Sequence, residues 1–274
     1  MDTAPALRAA ARAVVCLALI VTAAPAHASE GDVLPDLAQL APRDLVVKKR
    51  QIGDRTRLRL GFSSTATNVG AGPLTLYGYR RSRKVEKMRV NQLVDRRDGA
   101  TRVVRDVGRM SYVVHPDHRH WHLLGFEEYE IRSGDGRRLV GTDRKTGFCL
   151  GDRLPAPNAQ AVPNFTPVPL QGDTCGLGQP GLMGLFAGIS PGWADRYAAH
   201  LEGQYIDITG LESGQFVLVQ FVNVLGRIAE TRYENNASST RFALRWRRDP
   251  DRLPKLRVLR RCPGSITCPA ASRK

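Results

Sequence analysis

Apolar and polar positions alternate with a period of two over much of this chain. "LVVKKRQ" at 45–51 and "TRLRLGFSSTATNV" at 56–69 alternate or run β-branched, and "GAGP" breaks the pattern before "LTLYGY" at 74–79. Such runs, bounded by Gly and Pro, are strand signals. "RMSYVVHPDHRHWHLLGFEEYEIRS" reads as a strand, a break at Pro116 and then one long alternating strand. "GDGRRLVGTD" supplies a Gly-rich hairpin turn and a return strand, and "QYIDIT", "GQFVLVQFVN" and "STRFALRW" are further strands. From Leu150 to Gly188, Gly and Pro are frequent and periodicity is lost, which predicts a long loop. "SPGWADRYAAHLEG" predicts a short helix with Ser190 as N-cap and Pro191 at its first position. No heptad or solenoid repeat occurs, but "TNVGAGPL" and "VNVLGRIAE" look alike as strand–turn–strand units of the kind found in sandwich hairpins. The pattern predicts a mainly β class: an antiparallel β-sandwich core with long loops and a few short helices.

Composition adds a compartment. The chain has 274 residues, 42% of them hydrophobic, which is ample for a buried core. Arg8 and Arg12 precede an apolar run from Ala13 to Ala24, and Ala26-His27-Ala28 forms a small-x-small cleavage site. Residues 1–28 therefore read as a secretory signal peptide. The run is shorter than the ~20 residues a membrane span needs, and no later stretch is long enough, so no transmembrane segment is expected in the mature chain. Residues 29–43 form a lead-in, 44–245 the main domain, and 246–274 a basic tail with a small cysteine loop. Beyond Cys16 in the apolar run, four cysteines remain, an even number that suggests two disulfides in an exported protein. Regional spacing pairs Cys149 with Cys175 and Cys262 with Cys268; with no C-x-x-C pair, zinc binding by these four is disfavoured.

The net charge of +15 first suggests nucleic acid, but its distribution argues against that partner. Residues 80–109 carry eleven Lys/Arg against four Asp/Glu (+7), residues 246–274 nine against two (+7), and residues 110–245 twelve against fourteen (−2). For an exported protein, an anionic cell-envelope polymer or phospholipid fits such basic flanks better than DNA. Only seven of the 41 basic residues are Lys, as a GC-rich coding bias would give.

The candidate chemistry sits in "HPDHRHWH" at 115–122, which holds four of the six histidines. On a strand, His118, His120 and His122 project from one face, with Arg119 and Trp121 on the other. Three imidazoles converging on one ion suit Cu, Zn, Fe or Ni, not Ca or Mg, and the spacing does not choose among them. His115 is a candidate supporting group, and His200 reads as a surface residue. No H-E-x-x-H and no G-x-S-x-G occurs, so a zinc protease and a serine hydrolase are disfavoured.

"HRHWH", "DRKTGFCLGD", "GISPGWADRYAAHLEGQYIDITGLESGQFVLVQFVN" and "ETRYENN" occur in this order over residues 111–245, and together they resemble the catalytic domain of lysyl oxidase. The resemblance implies copper on His118, His120 and His122. It implies a lysine tyrosylquinone made from Lys145 and Tyr197, and a secreted amine oxidase that turns peptidyl lysine or a small primary amine into an aldehyde with dioxygen. Two departures from animal members stand out: Trp193 and Gly203 occupy positions of a disulfide pair, and Asp117 replaces another half-cystine. Amine oxidation needs a two-electron sink that no ordinary side chain provides. A carboxylate is the natural base for the α-proton; Asp195 is the candidate, and Asp207 is the other carboxylate near Tyr197 in sequence. Two other readings use the ladder without the quinone: a non-catalytic metal-binding β-sandwich module of the cell envelope, and a mononuclear zinc or copper enzyme.

Overall fold

Seventeen strands in three sheets make up the described part of the chain in a computed structural model, which describes residues 28–115, 118–143, 147–157, 174–247, 249 and 252–270. The first sheet runs β12 (Gly184–Ile189), β5 (Leu74–Tyr79), β6 (Lys87–Arg96), β7 (Thr101–His115), β8 (His118–Leu123), with β1 (Asp32–Val33) added to β6. The second runs β10 (Leu139–Asp143), β9 (Glu127–Ser133), β15 (Gly214–Val222), β16 (Ala237–Arg245), β17 (Lys255–Cys262). The third is built on the long β4 (Arg55–Asn68), which pairs with β2 (Leu37–Gln39), β3 (Arg43–Ile52), β13 (Trp193–Tyr197) and β14 (Tyr205–Asp207); β11 (Leu154–Pro155) completes it on β13. Every one of these pairings is antiparallel.

One apolar cluster takes residues from all three sheets: Leu76, Met88 and Met110 from the first, Ile131, Leu218 and Phe242 from the second, Leu37, Leu60 and Phe62 from the third. Period-two alternation produces it. In β5 and β9 every second side chain is buried, so each strand turns one apolar face to the shared core and the other outward. The mainly β, antiparallel class therefore holds.

Four local expectations are corrected. Among the described residues there is no helix, and hence none long and apolar enough to cross a membrane. The helix expected at 190–203 is instead a turn followed by β13. Trp193 N donates to Ser190 O (3.1 Å) and Gly192 has φ 76°, so Pro191-Gly192 forms the centre of a β-turn rather than a helix start. The long strand expected after Pro116 is two strands in different sheets: β8 pairs with β7, and β9 pairs with β10 and β15. The region 150–188, expected as loop, contains most of β12, which pairs along the whole of β5. "TNVGAGPL" crosses from the third sheet to the first instead of closing a hairpin, while "VNVLGRIAE" does join two paired strands, β15 and β16. Both units are held by an asparagine: Asn68 Nδ2 donates to Gly72 O and Ile189 O (both 2.9 Å), and Asn223 Nδ2 to Ile228 O (2.9 Å).

Two charged segments also lie in sheets. β6 and the first half of β7 fall in basic segment 80–109, and β17 falls in the basic tail, where it pairs with β16 from Lys255 to Cys262. Cys262 is bonded to Cys268, and Arg241 Nε donates to Cys268 O (2.6 Å). The signal-peptide region up to residue 27, the Pro116 break with Asp117, and residues 158–173 lie outside the described residues.

Candidate functional site

The β7–β8 pair carries the histidine ladder. His115, Val113 and Ser111 stand opposite His118, His120 and His122 in register. Which face the histidines take is set by Trp121. Its ring is buried on the other face against Tyr112 (centroids 5.6 Å), donates from Nε1 to Gln179 O (3.1 Å), and lies under the Arg80 guanidinium (4.8 Å). Burying a tryptophan with its N–H satisfied leaves His120 and His122 on the opposite face. The His120 and His122 rings are 4.6 Å apart, and His122 is only 5% exposed. The side chain of His118 lies outside the described part of the structure, so two imidazoles of the ladder are described. Among the described residues no group of three His, Cys, Asp or Glu side chains converges. The described donors, neighbouring imidazoles in a largely buried setting, fit a borderline transition metal rather than an oxygen-seeking cation.

The segment that follows β10 is bound to the ladder. Phe148 N donates to Leu123 O (2.9 Å), and Leu123 N donates to Phe148 O (2.8 Å). This bridge brings Gly147 onto the His122 ring: a Cβ there would overlap His122 Cβ and lie 3.0 Å from Nδ1. Cys149 is bonded to Cys175, whose carbonyl accepts from Trp121 N (2.9 Å), so the disulfide ties the segment to β8 a second time. Lys145 lies outside the described residues; Gly147 is its neighbour two positions on.

Tyr197 reaches the same place from another sheet. It ends β13, opposite Ser64 of β4. Its hydroxyl donates to Cys149 O (2.9 Å), and its ring meets Phe148 edge-on (4.9 Å, 80°). Burial pushes the hydroxyl well above the ordinary phenol range; the Asp195 charge adds to this and Arg153 opposes it. Asp195, two residues earlier on the strand and 2% exposed, lies 3.7 Å from Arg153 Nε. Arg153 also donates to Cys149 O (3.2 Å), so one guanidinium links the Asp195 carboxylate to the carbonyl that holds Tyr197.

Of the other expected residues, His115 adjoins the ladder as the register partner of His118, while Asp207 and His200 contribute no contact to the cluster described above. Asp207 is on the outer side of β14, 3.7 Å from Arg57. His115 is half-buried, with Nε2 3.3 Å from a Glu202 carboxylate oxygen, and His200 is exposed as expected. Glu127, Tyr129, Gln204 and Arg153 had no expected role. Tyr129 OH lies 2.6 Å from Gln204 Oε1 and 3.0 Å from Glu127 Oε2, while Gln204 Nε2 donates to Ser64 Oγ (2.8 Å) and Tyr197 O (3.2 Å). The signal for Glu127 was present in the alternation of "EEYEIRS": it shares the inward face with Tyr129 and Ile131, and a carboxylate on a core face is seldom incidental. Arg153, in an irregular stretch, had no comparable signal.

Comparison with known proteins follows the same residues. The family described as lysyl oxidase matches residues 81–248. The chain is 30% identical over 132 residues to the protein-lysine 6-oxidase of Rattus norvegicus, covering 47% of this chain and 27% of that protein. With the protein-lysine 6-oxidase of Sus scrofa it shares 29% identity over 132 residues, covering 47% and 45%. With lysyl oxidase homolog 4 of Homo sapiens it shares 26% identity over 230 residues, covering 77% and 27%. The matched region thus spans less than half of each of these relatives.

Proposed function

The chain belongs to the lysyl oxidase family, and we propose that it is an exported copper- and quinone-dependent amine oxidase. The observation that carries the reading is the meeting of three sequence-distant segments: Gly147 lies on the His122 ring, and the Tyr197 hydroxyl bonds the Cys149 carbonyl of the same short segment. In this reading His118, His120 and His122 hold copper, and Lys145 and Tyr197 are the precursors of the lysine tyrosylquinone. Bound copper and the quinone would supply the two-electron oxidation by which a primary amine, dioxygen and water become an aldehyde, ammonia and hydrogen peroxide.

The chain's own residues orient that chemistry. The Tyr197 ring is held from two directions, by the hydrogen bond to Cys149 and by the edge of Phe148. The Cys149–Cys175 bond fixes the segment on which both contacts depend. Asp195 is the proposed acceptor for the substrate's α-proton, and Arg153 holds its carboxylate in place. The amine is a peptidyl lysine, as the names of the relatives suggest, or a small primary amine.

The test is phenylhydrazine labelling of the copper-loaded, air-exposed protein together with peroxide release from a primary amine. Stoichiometric labelling at Tyr197 and peroxide formation are expected. Copper binding without label or peroxide would favour the non-catalytic metal-binding module of the envelope.

A further inference from the structure

The β3–β4 hairpin carries a charge arrangement that lowers its own stability. In register, Lys48 stands directly opposite Arg59 and Arg50 directly opposite Arg57. Like charges in directly opposed positions repel, and all four side chains share one face by strand alternation. The opposite face is committed to the core through the buried pair Val47 and Leu60. Among the described residues, Arg57 lies 3.7 Å from Asp207 and the Arg59 guanidinium sits 3.8 Å over the Tyr205 ring, which relieves part of the repulsion. These cations precede the family-matched segment 81–248.

The face opens onto a groove of about 600 Å³ whose lining includes Lys48, Arg50, Arg59, His115, His200 and Glu202. Neighbours of the candidate amine site line it. His115 is the register partner of His118. Ala199, two residues beyond Tyr197, and Gln204, whose Nε2 donates to Tyr197 O (3.2 Å), line the same groove. A polypeptide whose lysine approaches Tyr197 from this side would lay its neighbouring residues against Lys48, Arg50 and Arg59.

We propose that this groove docks an acidic stretch of the polypeptide that carries the reacting lysine. The proposal rests on the amine-oxidase reading above. Arg59, pre-oriented over Tyr205, suits a carboxylate through the planar edge of its guanidinium. Glu202, beside His115, opposes a uniform polyanion but accommodates a chain that mixes carboxylates with a lysine ammonium.

The test compares two peptides with the same central lysine, one flanked by Glu and one by Gln, on the copper-loaded full chain. The Glu peptide is expected to show about tenfold higher kcat/KM, carried by KM and shrinking with salt, as a few partly exposed charge pairs give. The variant Lys48→Gln/Arg50→Gln/Arg59→Gln should abolish the ratio. The double variant Lys48→Gln/Arg50→Gln keeps the Arg59–Tyr205 contact and should reduce it, which guards against misfolding of the triple variant. Equal kcat/KM for the two peptides on the unaltered chain would overturn the proposal. If neither peptide is oxidised, the amine-oxidase reading fails, and fluorescence anisotropy of the labelled Glu peptide still decides the groove. Salt-sensitive binding lost in the double variant supports docking; binding of polyphosphate with no binding of the peptide overturns it in favour of a phosphate polymer.

Discussion

Gly147 and Glu230 are the two single residues on which the description of this molecule can be tested most sharply. Gly147 has no side chain because the His122 ring occupies the space. Gly147→Ala must displace either the ladder or the segment leading to Lys145. A cost of about 1–3 kcal/mol is expected in denaturant unfolding, as for overpacked cores, with weaker copper affinity by metal titration. Unchanged copper affinity would mean that the ring's position does not matter to the metal. Glu230 concerns the frame. It accepts from the Asn223 and Asn236 side chains (both 2.6 Å) and from Leu37 N (2.8 Å), and burial pushes its carboxyl up to about 7 from 4.5. The folded form therefore keeps a proton that the unfolded chain has lost between those values. Its stabilising contribution is full below about pH 4.5 and is lost as pH rises through about 7, a change on the order of 3 kcal/mol. Urea midpoints at pH 5 and pH 8 should differ more in the native protein than in Glu230→Gln. Identical pH slopes would remove Glu230 as the source. The carboxylate's role was invisible in "ETRYENN", because only Asn236 of its three donors lies in that stretch, while Asn223 and Leu37 come from elsewhere in the fold.

At the scale of elements, alternation was legible wherever one face was plainly apolar, and it misled where local chemistry competed. The strand character of 45–51 and 56–69 and the two disulfide pairs were legible in spacing, whereas the ladder strand ends at Leu123, short of where the alternation runs on. "SPGW" carries both a helix-start pattern and a Pro-Gly turn; the turn prevails because residues 194–197 gain a ladder of pairing along β4. "KMRVNQLVDR" alternates Met88, Val90, Gln92 and Val94 onto a buried face, and the basic residues interleaved on its outer face make the same stretch read as a charged flank. No pattern in the sequence shows that Tyr197 bonds Cys149, since β13 and the 147–150 segment meet only through tertiary packing. The Cys149–Cys175 bond is the element that holds that meeting. Replacing both with Ser should lower stability by about 2–4 kcal/mol. It should also impair quinone formation more than copper binding, read by phenylhydrazine label against bound metal. Equal losses of both would indicate that the disulfide serves the fold alone.

For the whole molecule, three antiparallel sheets share one core, and the excess positive charge is carried on segments that are themselves partly strand. β17 closes one edge of the second sheet, so deleting residues 246–274 would strip β16 of one of its two partners, leaving only β15, as well as remove charge. Salt is the cleaner probe of whether the basic flanks bind an anionic envelope polymer, the partner expected from their charge. Retention on isolated cell walls should fall steeply between 0.1 M and 1 M salt, as the Debye length drops from about 10 Å to about 3 Å; retention that survives 1 M salt would exclude an electrostatic anchor. The central claim is that the ladder, the 147–150 segment and Tyr197 form one redox site. Its most direct measurement is mass-spectrometric peptide mapping of the copper-loaded, air-exposed protein. The account predicts a single cross-linked species joining the Lys145 and Tyr197 peptides, absent without copper and absent in Lys145→Arg. Recovery of the Tyr197 peptide at its unmodified mass from fully copper-loaded protein would contradict it.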